Sequence, residues 1–318
     1  VAVLAVFGLP VGSSLTSLWN GSFGTPLGWS RSLVKASPLL LCGLGIGIAW
    51  KAGVFNIGGE GQFVVGGLFG GIALAVFRGA PPFVLTVLIL LSAAMGGALF
   101  AGIASWMHQK RGVSVVISTI LLNFVAVQLL LFAVQGPLKQ TRDSLPQSET
   151  VPEAVRLARL SPQSDLHAGL LIALATLVAL IIWNRYSVAA KELALVGSAP
   201  RVARANGISA EKIQRRAMAV SGALCGLAAG TEYLGINTVL DQGFSQQFGF
   251  LAIPVALMGM LSPAGIAVSS LGFGALYAGS QQMGRFERGG DTVIFVVQAV
   301  LVIGLLIANR PRASEASA

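Results

Sequence analysis

The chain has 318 residues, of which 54% are hydrophobic and 10% charged, and a mean hydropathy of +0.78. Soluble domains carry about 25% charged residues, so a chain of this size with so few charges cannot cover a water-facing surface, and a soluble globular fold is excluded. The formal net charge is +9; with no basic stripe interleaved with aromatics it does not indicate nucleic acid, and it fits the accumulation of Lys and Arg in cytoplasmic loops.

A helix needs about 20 apolar residues to cross the hydrocarbon core, so charge-free intervals locate the spans. Nothing charged precedes Arg31, and residues 1–18 are expected to form a first span rather than a cleaved leader, since no cleavage site follows them. Further intervals cover residues 35–51, 60–78, 78–110, 111–139, 166–183, 217–231, 242–284 and 292–309. The turn signal Ser262-Pro263-Ala264-Gly265 divides the interval 242–284 in two. About ten spanning segments result, some short or broken. None alternates polar and apolar residues as barrel strands do. The expected fold is therefore all-α: a polytopic transmembrane bundle, one transmembrane domain over residues 1–318.

Loop charge orients the bundle. The loop 185–216 holds Arg185, Lys191, Arg201, Arg204, Lys212, Arg215 and Arg216 against Glu192 and Glu211, and is expected in the cytoplasm. The loop 137–166 is balanced: Lys139, Arg142, Arg156 and Arg159 stand against Asp143, Glu149, Glu153 and Asp165, and it is expected outside. The tract His108-Gln109-Lys110-Arg111 and the terminal Arg310 and Arg312 then fall inside, with both chain termini cytoplasmic. Arg31 and Lys35 fall outside, against the charge bias.

Two segments stand out. In the first, Ser198 can cap a helix with Pro200 in its first turn, Gly207 can stop it, and Ser209 can cap a second helix with Glu211 in its first turn. The plain alternative is a basic loop held by anionic lipid. The second, Lys51-Ala-Gly-Val-Phe-Asn-Ile-Gly-Gly-Glu-Gly-Gln62, sets four glycines beside Asn56, Glu60 and Gln62. Glycines let a helix break and bring backbones together, and ionisable groups at membrane depth mark pathways or helix pairings. The plain alternative is an interfacial turn with Glu60 in water. Asn123 and Gln128 are weaker candidates, of the kind that joins helices. Glu232, Asn237 and Asp241 read as an external rim.

No phosphate-binding glycine loop, hydrolytic triad or metal-ligand spacing occurs. Cys42 and Cys225 lie in apolar stretches as small hydrophobes, and His108 and His167 are isolated. The chain is expected to have no catalytic residue, no metal and no cofactor of its own; any ATP must be hydrolysed by another chain.

"GVFNIGGEGQ" at 53–62, "RGVSVVISTILLNFVA" at 111–126, "LALVGSAPRVARANGISAEKIQRRAMAVSGALCGLAAG" at 193–230 and "FLAIPVALMGMLSPAGI" at 250–266 together resemble inner-membrane permeases of the branched-chain amino acid, ribose and nucleoside importer superfamily, closest to the nucleoside (simple sugar) subgroup. The resemblance runs from about Ser37 to the last helix. It implies an ATP-binding cassette importer in a bacterial inner membrane that moves a small polar solute such as a nucleoside, purine or simple sugar. Two permease subunits, identical or different, would form the pathway, cytoplasmic ATPases using ATP and Mg would dock on the coupling loops, and an external binding protein would deliver the solute. On this chain Gly197, Pro200, Arg201, Ala203, Arg204 and Gly207 would lie at the ATPase contact. Asn56, Gly58, Gly59, Glu60, Gln62 and Asn123 would belong to the pathway or to the structural signature. "GSAPRVARANG" lacks the acidic or polar residue and the aromatic often found there in relatives. A branched-chain amino acid permease of the same superfamily is one alternative. A stand-alone secondary transporter is another, but it calls for inverted repeats and midplane carboxylates, and no clear repeat is visible.

Overall fold

A computed structural model describes residues 10–141 and 145–285, with Val296 and Ala299 as isolated positions. Residues 1–9 of the segment 1–18, Arg142 and Asp143 of the loop 137–166, the expected last span at 292–309 apart from Val296 and Ala299, and the terminal Arg310 and Arg312 lie outside the described residues. Eleven α-helices are described: α1 (Val11–Ser22), α2 (Pro26–Lys51), α3 (Gly59–Val76), α4 (Pro82–Arg111), α5 (Val115–Gln135), α6 (Gly169–Tyr186), α7 (Val188–Ser198), α8 (Pro200–Ala205), α9 (Ala210–Gly235), α10 (Phe248–Met258) and α11 (Pro263–Gly284). No named strand occurs among the described residues, so the all-α expectation holds.

Among the described residues five helices, α2 to α6, are long and apolar enough to cross a membrane. The other expected spans depart from that standard for identifiable reasons. The helix α9 begins with Lys212, Arg215 and Arg216, and α10 has only 11 residues with Pro254 inside it. A helix so short covers about 16 Å, half the hydrocarbon core.

The helix α2 is the axis of the bundle and packs against α9, α10 and α11. Of its apolar window 94% is buried, against 11% for α6, which stands at the periphery. It begins at Pro26, capped by Thr25 Oγ1 accepting from Gly28 N at 2.9 Å. The expected interval started at Lys35; the helix instead takes Arg31 and Lys35 into its first half. A second layer joins α3, α4 and α9 along a seam of small residues. A Cβ on Gly97 would overlap the Gly222 carbonyl, and one on Gly226 the Ala93 carbonyl, so backbones touch as in close-packed membrane helices.

The ends of the helices fall on two sides. The Lys51 end of α2, the Arg111 end of α4 and the hairpin α7–α8 share the basic end. There Gln109 Nε2 donates to Glu211 O at 2.8 Å and Gln214 Nε2 to Ala52 O at 3.3 Å. At the opposite end the loop after α5 is pinned to the exit of α9: Val151 N donates to Thr238 O at 2.8 Å, and Leu157 N to Leu234 O at 3.0 Å. Thr86 Oγ1 of α4 donates to Val155 O of the same loop at 2.8 Å. The balanced charges are partly paired, Arg78 with Glu149 at 2.5 Å and Arg159 with Asp165 at 3.7 Å. Both pairs are exposed and add little stability.

Candidate functional site

The glycine-rich segment is a break in the bundle, not an interfacial turn. After α2 ends at Lys51, Gly53 adopts φ +76°, a left-handed conformation suited to glycine. The chain then re-enters the protein as irregular backbone up to Gly59. In a bilayer each of its backbone groups needs a partner from the protein; backbone carbonyls accept from Gly53 N, Val54 N and Asn56 N, and side chains supply several of the rest. Asn123 of α5 accepts from Gly61 N at 2.8 Å and donates to Ile57 O at 3.0 Å. Thr119 Oγ1 accepts from Ile57 N at 3.3 Å, and Trp50 Nε1 donates to Asn56 O at 3.0 Å. Asn123 stands about 12 Å along α5 from its first turn, so the break lies well inside the bundle.

Asn56 organises this break. Its Oδ1 accepts from Gly58 N at 2.9 Å and from Gln62 Nε2 at 3.0 Å. Its Nδ2 donates to Gln62 Oε1 and to Ser221 Oγ of α9, both at 2.9 Å. Both donors and both acceptor positions of the amide are thus engaged. Asn56, Gln62 and Asn123 are buried. Between them Asn56 and Asn123 satisfy two N–H groups at the start of α3, which no intrahelical carbonyl can reach.

Glu60 lies in the first turn of α3 and is 3% exposed, so it is not in water. Its carboxylate accepts from Gly249 N at 3.0 Å and from Ser245 Oγ. Gly249 is the second residue of α10, which has no side-chain cap of its own. Glu60 therefore caps α10 from another helix and sits between two positive helix ends, α3 and α10. The approach demands glycine: a Cβ on Gly249 would overlap the Glu60 backbone, and one on Gly59 would stand 3.1 Å from Gly249 O.

The basic hairpin rests on the other side of the same break. A Cβ on Gly197 of α7 would overlap the Lys51 carbonyl, and one on Gly53 would stand 3.3 Å from Gly197 Cα. Pro200 opens α8, Ala203 is buried beneath it, and Arg201 and Arg204 are exposed. Gly207 follows with φ +75° and open space around its Cα, as a helix stop requires. The expected caps differ in detail. Ser198 closes α7, donating to Ala194 O at 2.9 Å, and Ala199 takes the N-cap position of α8. Ser209 is the N-cap of α9 by position, without a side-chain bond.

Several residues in this region carry no mark in the sequence. Ser221 lies 165 positions from its partner Asn56. Ser245 precedes Gln246 and Gln247, which adopt φ +45° and +62°. Glu232 reads as a rim residue in the sequence but is 1% exposed, and its Oε1 has no hydrogen-bond partner among the described residues. A charge interior to an apolar run, Lys35 or Glu232, is the one signal that could have pointed here.

Comparison with known proteins bears on the whole of this arrangement. The family described as the branched-chain amino acid transport system, permease component, matches residues 28–308. A glucose ABC transporter permease protein of Haloferax volcanii is 32% identical over 289 residues, covering 88% of this chain and 76% of the relative. A guanosine ABC transporter permease protein of Bacillus subtilis is 29% identical over 307 residues, covering 95% and 87%. A nucleoside ABC transporter permease protein of Lactococcus lactis is 27% identical over 293 residues, covering 89% and 80%. No solved structure gives a significant match. With a break held by Asn56 and Asn123, a basic hairpin seated on it, and a family match over nearly its whole length, the chain belongs to the branched-chain amino acid transport system permease family and is a multi-pass membrane permease subunit of an ABC transporter.

Proposed function

We propose that this permease forms half of the pathway of an inner-membrane importer for a small, uncharged, hydroxyl-bearing solute of the nucleoside or simple-sugar class. Relatives named for glucose, guanosine and nucleosides support that substrate class. A second permease subunit completes the pathway. An external binding protein delivers the solute to the end that carries the loop 137–166, and ATPase subunits using ATP and Mg dock at the basic end.

The observation that carries the reading is the seat of Gly197 on the carbonyl of Lys51. There α7 touches the last turn of α2 and the start of the break with no side chain between the backbones. Force applied to α7–α8 by closing ATPases reaches the membrane core as a rigid-body contact rather than through a flexible side chain. Arg201 and Arg204 are exposed on α8 and available to acidic groups of the partner, while Pro200, Ala203 and Gly207 set the shape of the hairpin. Asn56, Gly58, Gly59, Gln62 and Asn123 act as the frame of the break, because their polar groups are spent on one another and on backbone. Glu60 acts as the tie between the two halves of the core.

The test is recovery of partners from native membranes in mild detergent with the tagged chain as bait, followed by uptake of radiolabelled guanosine and glucose by the purified complex in liposomes. Co-purification of an ATPase with the intact chain, reduced by the charge reversal Arg204→Glu, is the expected result. An unaltered yield of ATPase with Arg204→Glu sinks the docking assignment. ATP-driven uptake of neither solute sinks the substrate class.

A further inference from the structure

At the end opposite the basic hairpin, α2, α11, the loop before α6 and the exit of α9 enclose a cavity of about 180 Å³, with Arg31, Lys35, Asp165, Gln281, Gln282 and Arg285 among its walls. Arg31 and Lys35 are four residues apart on α2 and share a face, where like charges repel. Lys35 is 9% exposed. Its ammonium donates to Gln246 Oε1 at 2.7 Å and stands 5.5 and 5.3 Å from the ring centres of Phe248 and Tyr277. These partners leave donor capacity on an ammonium that has three N–H groups. Arg31 spends one of its five N–H groups on Gln282 Oε1 at 2.8 Å. The carboxylates that act on Lys35 are Asp165 and Glu232, against three cations. Glu232 is buried on α9, and Asp165 is exposed and paired with Arg159.

Loop charge predicts few cations at this end of the bundle, and the two carboxylates that act on Lys35 still leave the three cations around the cavity with one positive charge in excess. Three cations with unspent donors around one cavity at a membrane boundary call for an oxyanion from outside the chain. We propose that this cavity binds a phosphate-class oxyanion, with Arg31 and Arg285 gripping it at the mouth and Lys35 at the floor. The same chemistry is presented by the headgroup phosphodiester of an anionic phospholipid and by a soluble phosphate.

Isothermal titration of the purified full-length permease, in a neutral detergent, distinguishes the sources. Dihexanoyl phosphatidylglycerol, dihexanoyl phosphatidylcholine and inorganic phosphate serve as probes, against wild type, Arg31→Gln and Arg285→Gln. Binding of phosphatidylglycerol but not phosphatidylcholine or phosphate, weakened about tenfold by each substitution, is the expected result for a lipid site. Binding of inorganic phosphate with the same dependence on both arginines supports the site with a soluble anion as its occupant. Arg285 is exposed, so Arg285→Gln folds even where Arg31→Gln does not, and its elution profile in size exclusion checks this. No binding of either anion, or binding that Arg285→Gln leaves unchanged, overturns the proposal.

Discussion

The cap that Glu60 places on α10 can be tested by removing it. Replacing Glu60 with Ala leaves the buried Gly249 N and the half-buried Ser245 Oγ without their acceptor. Each stranded donor costs about 1–3 kcal/mol, so the loss is about 2–6 kcal/mol before any collapse of the space. For a domain of this size about 1 kcal/mol moves the midpoint by roughly 2–4 °C. The expected fall in the thermal midpoint of the detergent-purified protein is therefore on the order of 5–20 °C. Ser245→Ala alone removes only one bond and costs about 1 kcal/mol. The double variant Glu60→Ala, Ser245→Ala no longer strands the serine hydroxyl, so its loss is expected to be smaller than the sum of the two by about 1 kcal/mol or more. Glu60→Gln retains an acceptor and separates the charge from the bond; an intermediate midpoint is expected. A Glu60→Ala protein as stable as wild type, or strict additivity with Ser245→Ala, would falsify the capping role.

Other consequences follow from contacts elsewhere in the bundle. Gly226→Val forces a side chain into the Ala93 carbonyl of α4 and is expected to cost at least 1–3 kcal/mol, read as lost monodisperse yield or a lowered thermal midpoint. Gly197→Ala pushes α7 off the Lys51 carbonyl and is expected to leave ATP hydrolysis by the assembled complex intact while uptake falls; uptake and hydrolysis falling together would refute a purely mechanical contact. Asn123→Leu removes the bonds to Gly61 N and Ile57 O and is expected to lower stability by about 2–4 kcal/mol, whereas Gln128→Leu, exposed on the same helix, has a much smaller effect. His167, just ahead of α6, is held by burial well below its ordinary 6.5, at about 4, with Asp165 pulling the other way. The folded protein therefore binds fewer protons than the unfolded chain between those values. Stability is full above about pH 6.5 and falls toward pH 4 by up to about 3 kcal/mol; His167→Asn is expected to flatten that acid limb in a thermal-midpoint series against pH.

The sequence made the all-α membrane fold legible because charge-free intervals report directly on what lipid accepts. It also made the hairpin around Gly207 legible, since a proline start and a glycine stop are local signals, and Gly207 does take φ +75°. Helix limits were less legible where polar residues are buried. Arg31 and Lys35 sit inside α2 because the bundle, not water, solvates them, through Gln282, Gln246 and two aromatic rings. The segment 51–62 announced a break by its glycines but not its partners. Ser221, Thr119 and Gly249 reach it from three other helices, and nothing in one linear stretch encodes such contacts. Glu60 shows the ambiguity well: a carboxylate after two glycines reads equally as a turn in water or a buried tie, and only the arrival of α10 above it decides.

The segment between Ser245 and Gly249 joins both regions. Gln246 and Gln247 are held at positive φ without being glycine, a conformation that costs about 1–2 kcal/mol for each residue. Two tethers offset that strain from opposite sides, Glu60 on Ser245 and Gly249, and Lys35 on Gln246. The first belongs to the break on which Gly197 is seated, and the second to the cationic cavity. A shift of the break transmitted from α7–α8 therefore draws on the same strained segment that positions the partner of Lys35. An anion that engages Lys35 competes for, or reinforces, its bond to Gln246, and so biases the same segment from the other end. Coupling between two binding events is reciprocal. If ATPase docking changes the affinity of the cavity for its oxyanion by some factor, the oxyanion changes ATPase docking by that same factor. A coupling factor that Gln246→Ala abolishes is the signature of this shared element, and ATPase docking that leaves the affinity of the cavity unchanged in the wild type excludes it.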